Sequence, residues 1–481
     1  VELIFEKSVP GRRALRLPAS DVPRAADLPG NLSRPEAPGL PEVGELDLVR
    51  HFTALSRRNF SVDTTCYPLG SCTMKYNPKA LEEAARFFAR SHPLLPFLPS
   101  GDRFVQGSLG LIHELSRLLS GITGMDDFSC QPLAGAHGEM AGMMMIAAYH
   151  RSRGDRRRSV VVPDSSHGTN PATAAMVGCQ VVTVPTAPYG DMDLDAFRQA
   201  MNGDVAAVMM TCPNTLGLFN PHVAEICDIA HDHGALVYCD GANLNAVLGK
   251  VRPGDIGFDA IHVNLHKTFA TPHGGGGPGS GPIGVKSHLA PFLPSPRIVR
   301  GADGGYGLAE GGDASIGRLA NFFGNFGILV RAYAYITMLG RDGLIEVSEH
   351  AVLNANYVMS RLQGWYDLPF PGPCMHECVF SASRQMKQDI HAIDIAKHLI
   401  DRGFHPPTVY FPLSVREALM IEPTETESRA TLDLFIGAMI EAAQLAGTDP
   451  GALRRAPLTT PVTRLDETKA AREITVCHPA G

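Results

Sequence analysis

The chain has 481 residues, 44% apolar and 19% charged, with a formal net charge of −7 at neutral pH. That length exceeds one small core, the apolar share excludes global disorder, and the acidic balance excludes a chain built to coat nucleic acid. Ten cysteines form no C-x-x-C pair, and neither a run of 18 apolar residues nor a signal-peptide layout occurs; the expectation is a soluble, cytoplasmic chain with reduced thiols and no membrane attachment.

Residues 1 to about 45 are rich in Pro, Arg and Gly without a sustained period and read as an extended arm, of the kind that lies across a partner. A short amphipathic helix is expected over 46–60. From about 120 to 290, β-branched runs at 159–162, 180–184, 205–210, 235–239, 260–265 and 282–285 alternate with helical stretches such as 138–152 and 222–233. This order predicts a mostly parallel sheet covered on both faces, with ligands bound beyond the carboxyl ends of its strands. The basic run Arg156–Arg158 reads as a solvated strand edge. Residues 325–363 read as long helices. A strand from 378 and helices at 390–402 and 427–446 predict a smaller α+β domain, and Thr424-Glu-Thr-Glu427 reads as the capping box of the last helix. The expected division is an arm and helix over 1–60, a large domain over 61–330 and a smaller one over 331–481.

The chemistry centres on Asn264-Leu-His266-Lys267-Thr268, at the end of an apolar strand. A lysine there is costly to bury unless it is paired, neutralised or made into an imine; alone, it is equally a surface lysine. Asp240 closes the strand Ala-Leu-Val-Tyr-Cys-Asp at the same sheet edge, where an acid could keep a pyridine nitrogen protonated. Ala242, two residues on, is small enough to pack against one ring face, and His167 could cover the other or simply bond its own loop. Gly135, Ala136 and His137 precede an expected helix and offer N–H groups to a phosphate, an individually weak pattern. The run Gly274–Gly279 contains G-x-G-x-x-G, but a proline interrupts it and a strand follows, so it reads as a hairpin rather than a dinucleotide site. Cys374-Met-His376-Glu-Cys378 could suggest a metal, yet no further ligand pair is near, and none is expected.

Taken in order, Leu69-Gly-Ser-Cys72-Thr-Met-Lys75, Ala136-His-Gly-Glu139, His167-Gly-Thr-Asn-Pro171, Asp240-Gly-Ala-Asn243, Leu265-His-Lys-Thr268 with Pro272-His-Gly-Gly-Gly-Gly-Pro278, and Glu422-Pro-Thr-Glu425 resemble the glycine decarboxylase (P-protein) family of the glycine cleavage system. The resemblance spans about 50 to 450 and fits the cofactor-bearing half of the longer members, hence subunit 2 of the two-subunit form. It implies a fold-type-I, aspartate-aminotransferase-like α/β fold with pyridoxal 5'-phosphate held as a Schiff base on Lys267. It also implies glycine as substrate, loss of CO2, and transfer of the aminomethyl carbon to the lipoyl arm of H-protein. The implied partners are a subunit 1, in an assembly with two copies of each, and lipoylated H-protein. Asn214 could then bond the ring oxygen or serve only its turn. His266 could orient a phosphate or carboxylate or merely pack, Cys72 could be a bystander thiol, and Arg384 is the candidate for the substrate carboxylate because guanidinium is its usual bidentate partner. The alternatives are another fold-type-I enzyme, an aminotransferase or a cysteine-desulfurase-like lyase, and a non-catalytic partner subunit.

Overall fold

The alternation of β-branched runs with helices builds a seven-stranded sheet in this computed structural model, which describes residues 2–23, 29–36, 38–88, 100–274, 277–321 and 323–475. Its strands are β1 (Asp127–Ser129), β2 (Ser159–Pro163), β3 (Gln180–Val184), β4 (Val205–Thr211), β5 (Leu236–Gly241), β6 (Ala260–Val263) and β7 (Ile283–Val285), in the order β1-β7-β6-β5-β4-β2-β3. All pairings among β2 to β6 are parallel, and only β7 runs against its neighbours. The inner strand β4 is buried at every position because helices cover both faces. Its successive residues feed different cores, Val208 one side and Ala207 with Met209 the other.

Two expectations change in the sheet. Strand β1 went unforeseen because three residues carry too little pattern. The run at 260–265 ends as a strand at Val263, and the chain turns at once into a short helix, Leu265–Thr268.

Beyond a two-stranded ribbon, β8 (Arg297–Arg300) and β9 (Tyr306–Ala309), lies the helix Phe326–Leu362, interrupted at Gly340, whose φ of 62° and ψ of −168° are not helical. A second antiparallel sheet follows, of β10 (Cys378–Ser381), β11 (Thr408–Val409) and β12 (Ala418–Ile421) in the order β10-β12-β11. It has its own apolar core, including Phe380, Leu399, Leu419 and Phe435. The last long helix, Arg429–Thr448, is capped by Ser428, which accepts from the Thr431 N–H, and not by the Thr424–Glu427 box; the Thr424 hydroxyl instead meets that of Thr426. This helix is long and apolar enough by composition to cross a membrane, but its apolar positions Leu432, Phe435, Ile436 and Met439 pack into that second core. Arg157 is not simply solvated either: its guanidinium donates to the Val205 and His233 carbonyls, at 2.7 and 2.9 Å, and ties the start of β4 to the end of the helix Val223–Asp232.

The chain divides into two compact units, Val1–Thr64 and Thr65–Gly481. The first holds the helix Glu45–Ser56 and folds back on itself, with the Val9 N–H donating to the Glu42 carbonyl at 2.9 Å. Parts of the expected arm, 24–28 and 37, lie outside the described residues, as do 275–276 of the glycine run.

In the larger unit the segment 69–75 is fastened by a buried ion pair. Lys75 Nζ lies 2.7 Å from Glu425 Oε1, with the two side chains 1% and 7% exposed, and also donates to the Thr268 carbonyl at 2.8 Å. Burial opposes the charge on Lys75, but Glu425 and Tyr335 outweigh it and raise its pKa. Glu425→Ala leaves this cation uncompensated, so it is expected to lower unfolding free energy by about 3–5 kcal/mol in urea denaturation. The apolar double replacement Lys75→Met with Glu425→Leu should recover most of that loss. A single variant within about 0.5 kcal/mol of the parent would show that the pair is not what fastens the segment.

Candidate active site

Two strand ends build the centre. Strand β5 delivers Asp240 at its carboxyl end, and the turn after β6 delivers Lys267 on the helix Leu265–Thr268. They face one cavity of about 200 Å³, whose lining includes Ser71, Gly135, Ala136, Glu139, His167 and Ala242. The helix Gly135–Ser152 starts at this cavity, three residues earlier than its periodicity indicates. Its opening turn can approach closely because position 138 is glycine: a Cβ there would lie 2.5 Å from the Gly281 carbonyl oxygen. The first N–H groups of such a helix have no acceptor within it.

Asp240 is 2% exposed and fully engaged. Its Oδ2 accepts from Asn170 Nδ2 at 3.0 Å, its Oδ1 accepts from the Ala242 N–H at 3.0 Å, and His262 Nε2 lies 3.4 Å from Oδ1. Burial alone would push this carboxyl up; His262, the Asn170 amide, Lys267 and the Ala242 N–H outweigh it and hold the pKa below the usual value. Asn170 Nδ2 also donates to Glu139 Oε2 at 3.0 Å. Burial first, then the charge on Asp240, push Glu139 up to about 7. One amide thus bridges two acids, of which Asp240 is the anion. Burial lowers the pKa of His262, with Asp240 opposing, and the Tyr238 hydroxyl sits 2.6 Å from its Nδ1.

Lys267 is 9% exposed, and its Nζ donates to the Ser71 carbonyl at 2.8 Å. His167 lies at the cavity, exposed, with Nδ1 2.8 Å from the Thr169 hydroxyl; burial of its ring lowers its pKa, with Asp240 opposing and Lys267 adding. Of the residues singled out from the sequence, the cavity therefore gathers Lys267, Asp240, Ala242, His167, Gly135 and Ala136. It does not gather four others. His137 turns back to accept from the Leu133 N–H at 3.2 Å. Asn214 serves its turn, accepting from the Leu216 and Leu218 N–H groups and donating to the Gly190 carbonyl. His266 packs behind Asn264, and burial lowers its pKa to about 3. Arg384 donates to Asp367 at 2.6 Å, away from the cavity, where a fixed surface pair occupies the guanidinium. Cys72 lies 3.9 Å from His273 Nε2, and burial raises its pKa. His376 gathers with Glu377 and Glu422 rather than with Cys374 and Cys378.

Sequence reasoning passed over Glu139, Asn170, His262 and Ser71. Glu139 and Asn170 stand inside motifs quoted above, but nothing local said that two helices, with these residues 31 positions apart, would share one amide bond. His262 looked like any residue of a buried strand.

The donors fit a phosphorylated pyridine aldehyde: an amine at Lys267, an anion at Asp240, and helix-start N–H groups at Gly135 and Ala136. Residues 137–277 match the family described as Aminotransferase class-V, and residues 347–448 the one described as Glycine dehydrogenase, C-terminal domain. The chain is 55% identical over 476 residues, 98% of its length and 97% of the relative's, to a probable glycine dehydrogenase (decarboxylating) subunit 2 of Lysinibacillus sphaericus. It is 52% identical over 481 residues, 99% of each chain, to the protein of that name from Chlorobium chlorochromatii. Among solved structures it is similar to a glycine decarboxylase (P-protein) of the glycine cleavage system in inhibitor-bound form, with TM-score 0.70 and 21% identity over 86% of this chain and 93% of that one. A cysteine desulfurase from Escherichia coli gives TM-score 0.63 and 16% identity over 82% and 98%. These distant likenesses carry the fold alone, and it is the expected fold-type-I architecture with a smaller C-terminal domain. By its identity to the bacterial relatives over nearly the whole of both chains, the chain belongs to the glycine dehydrogenase (decarboxylating) subunit 2 family.

Proposed function

We propose that the chain is the cofactor-bearing subunit of a two-subunit glycine decarboxylase, which releases CO2 from glycine and passes the aminomethyl group to the lipoyl arm of H-protein. The observation that carries this reading is the meeting of Lys267 Nζ and the anionic Asp240 in one small cavity at a helix start. The relatives' shared name, glycine dehydrogenase (decarboxylating) subunit 2, favours it over the aminotransferase and desulfurase readings. "Subunit 2" also supports a partner subunit, for which an assembly with two copies of each chain is the simplest form. The nine free cysteines among the described residues suit a reducing cytoplasm. The division of the larger unit near residue 330 belongs to the same reading, supported by the separate core around Phe380 and Phe435.

When bound, pyridoxal phosphate supplies an electron sink for the pair left on the α-carbon as CO2 departs. Lys267 would hold it covalently, Asp240 would face its ring nitrogen, Gly135 and Ala136 its phosphate, and Ala242 and His167 its two faces. Four neighbours favour the anion of Asp240, which would keep the ring nitrogen of the bound group protonated. Lys267 Nζ, steered by the Ser71 carbonyl, would hold or move a proton at the reacting carbon. Among the described residues lining the cavity none is an arginine, Arg384 included.

Three outcomes test this. Lys267→Ala should keep the fold and abolish the borohydride-trapped pyridoxyl adduct; a labelled peptide carrying another lysine would overturn the assignment. Asp240→Asn should still bind the cofactor while decarboxylation falls by orders of magnitude, and near-parental turnover would make the aspartate structural. Finally, the purified chain alone, given H-protein, should fail in glycine–bicarbonate exchange and recover on addition of subunit 1. Full exchange without a partner would instead favour a self-sufficient enzyme.

A further inference from the structure

The segment that offers Lys267 its carbonyl partner is held in a strained course. At Gly70 a Cβ would lie 2.1 Å from Met420 Cγ, so the chain passes tight against β12. Ser71 then adopts a φ of 63°, a left-handed conformation that is costly for a residue with a side chain. Its carbonyl accepts from Lys267 Nζ, and its N–H donates to Glu377 Oε2 at 2.7 Å. Two residues on, Thr73 donates to Glu422 through its N–H at 3.1 Å and its hydroxyl at 2.5 Å, and Asn245 adds a bond at 3.4 Å. Two glutamates therefore grip the turn from the side opposite the lysine.

These glutamates face each other. Cys378 of β10 pairs with Ile421 of β12, and one more step along that register sets Glu377 opposite Glu422. They are 0% and 1% exposed, where two adjacent anions would repel strongly. The surrounding groups supply little positive charge. Lys75 is committed to Glu425, Cys374 and Glu425 add no positive charge, and His376 is kept neutral, with burial and Lys267 lowering its pKa to about 3. Lys267 acts on the pair across the Ser71 peptide. Both Glu422 oxygens have donors, whereas Glu377 Oε1 has none and lies 3.6 Å from His376 Nε2, itself without a partner.

We propose that Glu377 and Glu422 share one proton, carried on Glu377 Oε1, and that this pair holds Ser71 so that its carbonyl aims at Lys267. Both are positioning residues, and the role rests on the reading of Lys267 as the reacting lysine. The electrostatics agree: burial, with the opposing acid adding, pushes Glu377 well above the usual range, and burial raises Glu422 to about 7. Because Glu422 titrates at about 7 and Glu377 well above it, the single-proton pair belongs to neutral and mildly alkaline pH; it takes up a second proton as pH falls below about 7 and is forced towards a double negative charge at still higher pH.

The proton is tested on the cofactor-free chain by infrared difference spectroscopy between the parent and Glu377→Gln at neutral pH. A carboxylic-acid C=O band present in the parent and missing in the variant is expected; no difference in that band overturns the shared proton. Positioning is tested by the rate at which pyridoxal phosphate becomes attached to the lysine, followed by absorbance. Glu377→Ala should slow attachment roughly tenfold or more, the effect of one lost bond to a buried group, and Glu377→Gln should restore most of it. Equal rates in the parent and the alanine variant overturn the positioning role. The glutamine keeps an oxygen for the Ser71 N–H, so the infrared result stands even where the alanine variant unfolds. Attachment at a different lysine would sink the proposed function while leaving the infrared outcome to judge the pair.

Discussion

A carboxylate taken out of water loses several kcal/mol of hydration and must recover it from donors, a counter-charge or a proton. That constraint shapes this molecule around Lys267, where Glu139, Asp240, Glu377 and Glu422 are all at or under 3% exposed. The four acids take three solutions. Asp240 is ionised by surrounding it with donors, Glu139 is eased towards its neutral form beside it, and the two remaining glutamates stand opposite each other under a strained turn. Lys75 and Glu425 use the remaining option, a direct ion pair. Four acids are thus taken out of water within one unit, each with its own set of partners.

The same constraint explains why the pieces come from so many parts of the chain. A strand end supplies Asp240, one helix supplies Glu139, the first turn of another supplies Asn170, and the ends of two paired strands in the second sheet supply Glu377 and Glu422. No local segment could satisfy so many buried polar atoms alone. Fold and site are therefore one problem here, because the backbone N–H groups of residues 71 and 73 complete the partners that the side chains lack.

What the sequence disclosed follows from this. The sheet was readable because β4 and β5 are continuous apolar runs of useful length, and Asp240 with Lys267 stood out as charges closing such runs. The start of the helix at Gly135 was placed late, since glycine and alanine give no periodic signal there. Asn214, His137 and Arg384 were plausible by residue type alone, yet each already had a local partner that only three-dimensional geometry reveals. Conversely, Glu377 and Glu422 lie 45 positions apart, in stretches that were read as a metal question and a family motif. Their pairing depends on strand register, which sequence patterns between such short strands do not specify.

The helix Phe326–Leu362 has a role that its length alone does not suggest. Its first half, with Ile328, Leu329 and Tyr335, packs into the core of the large sheet, and its last turns, with Ala355, Val358 and Leu362, pack into the core of the small one. It works as a shaft keyed at both ends, with the break at Gly340 setting the angle between the keyed portions. Each residue advances a helix by about 100°, so one insertion between Val347 and Ala355 would turn the second core a quarter-turn out of phase with the first. The count of residues between the two keyed portions is therefore fixed by the two cores together.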